Sequence, residues 1–147
     1  MPLDSEKKRL EARLLTVLSQ ALQERNRDDI VGTSLELGTL YMSGDLYEKA
    51  EECYRRVLEA PVAALARPDE RADAETGLAE VALRRGHLTL AAEALARAEK
   101  LLEAEDASLY AVRLLQCRRD LHAAQYRDAV DVIEAALHPT FDDRVEP

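Results

Sequence analysis

Apolar residues return along this chain at intervals of three and four, the spacing that gathers side chains on one face of an α-helix. Leu10, Leu14, Leu18, Ala21 and Leu22 make the first such stripe, with Lys, Arg and Glu between them, and predict an amphipathic helix over about Ser5–Arg25. The same rhythm predicts six more helices over about Asp29–Ser43, Tyr47–Ala60, Asp69–Arg85, Leu88–Ala104, Ser108–Ala123 and Tyr126–Leu137. Glycines at 44 and 86 suit the left-handed position that ends a helix, so the second and third helices, and then the fourth and fifth, should fold back as hairpins.

The pattern also repeats on a longer period. Tyr47, Leu88 and Tyr126 stand 41 and 38 residues apart, and so do Ala50, Ala91 and Ala129; Tyr54, Leu95 and Ile133; and Val57, Ala98 and Ala136. On the first helix of each pair, Leu37-Gly38, Leu78-Ala79 and Gln116-Cys117 hold the same register. Gly38, Ala79 and Cys117 are small enough to let paired helices approach closely, whereas a larger side chain would push them apart.

The run Leu37-Gly38-Thr39-Leu40-Tyr41, then Gly44 to Ala50, then Glu51 to Leu58, resembles a tetratricopeptide repeat, whose unit of about 34 residues places Leu-Gly, Tyr, Ala, an aromatic and a terminal Pro in this order. The resemblance covers Val31 to about His138. The second repeat replaces aromatics with Ala82, Leu88 and Leu95; the third has no glycine at its turn and carries Asp120 where the first has Tyr41. The resemblance implies an all-α array of about seven helices: a capping helix over 1–28, three hairpins over about 31–68, 69–106 and 107–138, and a tail over 139–147. Ala60 to Pro68 holds the residues beyond the usual repeat length, either as a connector between two helices or as the end of a longer kinked helix.

Composition agrees with helices and narrows the function. Ala and Leu dominate an apolar share of 47%, so the core must be aliphatic and close-packed. The net charge of −9 argues against nucleic acid, because phosphate neutralisation needs a basic face; Lys7-Lys8-Arg9 reads as a solvated helix start. No apolar run approaches the ~18 residues that span a bilayer. Cys53 and Cys117, in a chain that opens on charged residues instead of a secretory leader, read as reduced thiols of a cytoplasmic protein.

No catalytic or metal-binding constellation stands out. His87, His122 and His138 fall at or near predicted helix ends without metal-type spacing, and neither cysteine has a positioned base. The expectation is a binding protein without enzymatic activity, metal or cofactor. What the resemblance implies is a concave groove lined by the first helix of each hairpin: Leu35, Thr39 and Met42, then Thr76, Glu80 and Leu83, then Leu114, Arg118 and Leu121. Several of these leucines, Leu114 above all, fit the core equally well. Members of the family that clamp a C-terminal carboxylate use Lys, Arg and Asn there; the matching places here hold Leu35, Thr39, Gly77, Leu114 and Arg118, so that clamp is not expected. An adaptor or scaffold taking a basic or amphipathic peptide or helix of a partner protein is the leading reading. The alternative is a small acidic chaperone for a secreted or assembled cargo. The open end of a short array also leaves room for a homodimer through the last hairpin.

Overall fold

The computed structural model describes residues 2–59, 62, 66–102 and 108–137, the last helix by its backbone alone over 108–112. Among them there are six helices and no strand: α1 (Ser5–Glu24), α2 (Arg27–Ser43), α3 (Tyr47–Leu58), α4 (Pro68–Arg84), α5 (Leu88–Leu102) and α6 (Ser108–Leu137). The predicted tail over 139–147 and most of the 60–68 connector lie outside the described residues.

Local chemistry explains most of the boundaries. Asp4 and Asn26 cap α1 and α2, each side chain accepting from the backbone N–H three residues on, Lys7 at 2.9 Å and Asp29 at 3.3 Å. Arg25, at φ 54°, turns the chain between them in the left-handed conformation. At α4, Pro68 occupies the first turn and the Glu70 carboxylate accepts from the Arg67 backbone N–H at 2.8 Å. Glu59 is already extended, so α3 ends at Leu58.

Each helix packs on the next, and the first helices of successive pairs also touch, α2 with α4 and α4 with α6. The core runs between these layers in two connected parts. The first joins Leu14, Leu18 and Ala21 of α1 to Ile30, Val31 and Leu37 of α2 and to Ala50, Tyr54 and Val57 of α3. The second joins Ala72, Ala79 and Ala82 of α4 to Ala91, Leu95 and Ala98 of α5 and to Leu114, Cys117 and Leu121 of α6. Of the predicted α1 stripe, Leu14, Leu18 and Ala21 are buried, while Leu10 and Leu22 remain 40% and 48% exposed.

Tyr54 is the centre of this packing. Its ring is fully buried between α2 and α4, against Gly38 of one and Gly77 of the other. A β-carbon on Gly38 would come within 2.6 Å of the ring, and one on Gly77 would come closer still.

The seven-helix expectation fails at the third hairpin. Residues 108–137 form one continuous helix of 30 residues, and the repeat columns Tyr126, Ala129, Ile133 and Ala136 are exposed on it. Two differences from the earlier repeats account for this. In the first two turns one residue takes positive φ, Asp45 at 58° and Gly86 at 77°, while Gly44 keeps negative φ, contrary to the sequence expectation. The matching place in the third repeat is Ala124, which favours helix and resists the left-handed region by roughly 1–2 kcal/mol.

The third turn is also too short. Leu114, Cys117 and Leu121 bury with the same spacing as Ala74, Gly77 and Val81, a shift of 40 residues, whereas the second-helix columns shift by 38. From Leu40 to Ala50 and from Val81 to Ala91 is ten residues; from Leu121 to Ala129 is eight. The two missing residues are those that would turn the chain.

Candidate functional site

An open groove of about 1110 Å³ lies between α4 and α6. Glu80, Leu83 and Arg84 of α4 line one side, and Arg113, Gln116, Cys117, Asp120, Ala123, Ala124, Tyr126 and Arg127 of α6 line the other. Apolar and charged groups therefore alternate along it.

Of the residues expected in the groove, Glu80 and Leu83 line it. Thr76 is buried, its hydroxyl donating to the Ala72 carbonyl at 2.8 Å. Leu35 and Met42 are half-buried against the first part of the core, and the exposed Thr39 donates to the Leu35 carbonyl at 3.2 Å. The α6 residues need correcting. Leu114 and Leu121 are core residues, and Arg118 pairs with Glu99 of α5. With the shift of 40, Thr76, Glu80 and Leu83 correspond to Gln116, Asp120 and Ala123, and these three do line the groove. The sequence register was two residues off on this helix.

Sequence reasoning missed Arg113, which organises one side of the groove. Its guanidinium donates from Nε to Glu80 Oε1 at 2.6 Å, and from Nη1 to the Asp73 carboxylate and the Asp73 carbonyl. From Nη2 it reaches the Tyr54 hydroxyl at 3.4 Å, and it stacks 6.0 Å from the centre of the Tyr54 ring. Burial by itself would lower the pKa of this group, but the facing Glu80 and Asp73 carboxylates outweigh it and hold the guanidinium firmly charged. One side chain thus ties α6 to α4 and to the central tyrosine of α3. The clue available in the sequence was an arginine beside an apolar stripe, with partners 33 and 40 residues earlier.

The remaining chemistry is quiet. Both cysteines are free and buried, and burial pushes Cys53 up to about 11 and Cys117 up to about 12. No group of three or more His, Cys, Asp or Glu among the described residues is placed to hold a metal. No helix among them is long and apolar enough to cross a membrane. Comparison with protein-family models, with curated proteins and with solved structures found no match to this chain.

Proposed function

We propose that the chain is a tetratricopeptide-like protein-binding module, cytoplasmic and without enzymatic activity, that takes an amphipathic peptide or helix of a partner in the α4–α6 groove. The observation that carries this reading is the groove itself, where Leu83, Cys117, Ala123 and Tyr126 lie among Arg84, Asp120 and Arg127. Apolar contacts supply most of the affinity in such a site, while the charges set direction and register. The net charge of −9 favours a ligand with basic residues outside its apolar face.

Selection of peptides from a random displayed library, followed by amide chemical-shift mapping, tests the proposal. Selected peptides should be amphipathic, should move the amides of Leu83, Gln116 and Asp120, and should lose at least about tenfold in affinity against Leu83→Glu. Peptides that perturb only other surfaces, or that bind Leu83→Glu unchanged, would remove the groove as the site.

A further inference from the structure

The last twelve residues of α6 carry an apolar face that no other described residue covers. Tyr126, Ile133 and Leu137 are 72%, 56% and 68% exposed. The equivalent columns of α3 and α5, Ala50, Tyr54 and Val57 or Ala91, Leu95 and Ala98, are completely buried. The repeat builds this face to pack against the first helix of its own hairpin, and the short third turn prevents that.

The surface that should receive it is exposed on the first half of the same helix. With the shift of 40, Glu75, Ala79 and Ala82 of α4, which face α5, correspond to Leu115, Arg119 and His122. Leu115 is 56% exposed, and Arg119 and His122 are exposed too. Because α6 is unbroken, donor and acceptor surfaces fall on one side of it. Leu115, Arg119, His122, Tyr126, Ala129, Ile133 and Ala136 follow one another at alternating intervals of four and three, the spacing of a two-helix seam.

We propose that a second copy of this chain covers the seam, the two α6 helices lying antiparallel about a two-fold axis near Gln125. Residues 126–137 of each copy then pack on the first half of the other's α6. Leu115 of one copy meets Ile133 and Ala136 of the other, and His122 meets Tyr126 and Ala129. Each pairing rebuilds, between chains, the hairpin that one chain cannot close.

The charges select this arrangement. Arg113 and Arg118 are paired within the chain, with Asp73 and Glu80 and with Glu99, so Arg119 is the charge that the first half of the seam presents, while residues 125–137 hold Asp128, Asp131 and Glu134 against one arginine. An antiparallel pair brings Arg119 of each copy to the acidic half of the other, whereas a parallel pair sets Arg119 against Arg119 and the acidic halves against each other. The groove residues Gln116, Asp120 and Ala123 point about 80–140° around the helix from Leu115, so pairing takes Tyr126 from the groove and leaves the rest of its lining open.

A double variant, His122→Cys with Ala129→Cys, tests the geometry under mild oxidation. On one continuous helix these positions are about 10.5 Å apart along the axis, too far for a disulfide, so a bond can form only across copies. A covalent dimer on a non-reducing gel is the expected result. A covalent monomer would mean that the hairpin closes within its own chain, and no bond would mean that the seam is not paired this way; either overturns the proposal. Sedimentation of single variants supplies the second measurement. Ile133→Asp should raise the dimer dissociation constant by about tenfold or more, whereas Val132→Asp, equally apolar before the change but about 100° around the helix, should leave it unchanged. A wild-type protein that sediments as a monomer, or equal effects of the two variants, would overturn the proposal as well.

Discussion

Changing Gly38 to alanine adds one methyl group to α2, and its effect follows from two opposing terms. In an exposed helix interior the change stabilises by up to about 1 kcal/mol, because glycine loses more backbone freedom on folding. At position 38, however, the new β-carbon would sit 2.6 Å from Tyr54 Cε1, well inside the ~3.5–4.0 Å contact distance of two carbons. The ring cannot move aside, since Gly77 bounds it from α4 and it is completely buried. Overpacking of this kind costs about 1–3 kcal/mol, and a ring closed in on both faces belongs at the upper end. The net expectation is a loss of about 2 kcal/mol, or roughly 4–8 °C in melting temperature for a chain of this size.

Gly32 supplies the control. It lies in the same helix with nothing within 4 Å of its virtual β-carbon, so Gly32→Ala should be neutral or stabilising by up to about 1 kcal/mol. Urea denaturation of both variants, followed by circular dichroism, reads the difference directly. Trimming the ring with Tyr54→Leu should shrink the cost of Gly38→Ala, since the methyl then has room. If Gly38→Ala stabilises as Gly32→Ala does, or if its cost is the same in the Tyr54→Leu background, the close approach of α2 to Tyr54 is not as described.

Arg113→Met should cost about 2–3 kcal/mol, because it leaves the partly exposed Asp73 and Glu80 carboxylates without their cation, and Glu80→Gln should recover part of that loss in a double-mutant cycle. Gly86→Ala should cost about 1–2 kcal/mol in the same denaturation assay, since the residue sits at φ 77° and the space around it is open, leaving backbone strain as the whole effect. Neither thiol should react with a disulfide reagent at pH 8 until the protein is denatured, because burial holds Cys53 at about 11 and Cys117 at about 12 against an ordinary 9.0. The unfolded thiols ionise first as pH rises, so both contribute stability below about pH 9 that is lost between there and about pH 11–12; replacing both with alanine should flatten that part of the pH profile.

Local signals in the sequence were sufficient for the first five helices. Asp4 and Asn26 cap helices through groups three residues away, Pro68 opens one, and Gly86 closes another, so each boundary is set within a single turn of chain. The columns through Ala50 and Ala91, and through Tyr54 and Leu95, were readable for the same reason: their spacing alone puts them on one face, and that face is buried. The glycine at 38 announced a close helix crossing, although that the ring of Tyr54 fills it is a tertiary fact.

The sixth helix could not be read in this way. Its first half has apolar residues on two sides, Leu114, Cys117 and Leu121 on one and Leu115 on the other, and spacing does not say which side faces the protein. The surface offered by α4 and α5 decides, and it accepts the first set. That choice shifts the register by two residues, removes the third turn, and moves the groove from Leu114, Arg118 and Leu121 to Gln116, Asp120 and Ala123. Arg113 belongs to the same class: its partners Asp73, Glu80 and Tyr54 come from two other helices, and only the packed chain brings them around one guanidinium. Helix formation is set by neighbours three and four residues away; the rotation of a helix about its own axis is set by residues of other helices, through the shape of the surface on which it lands.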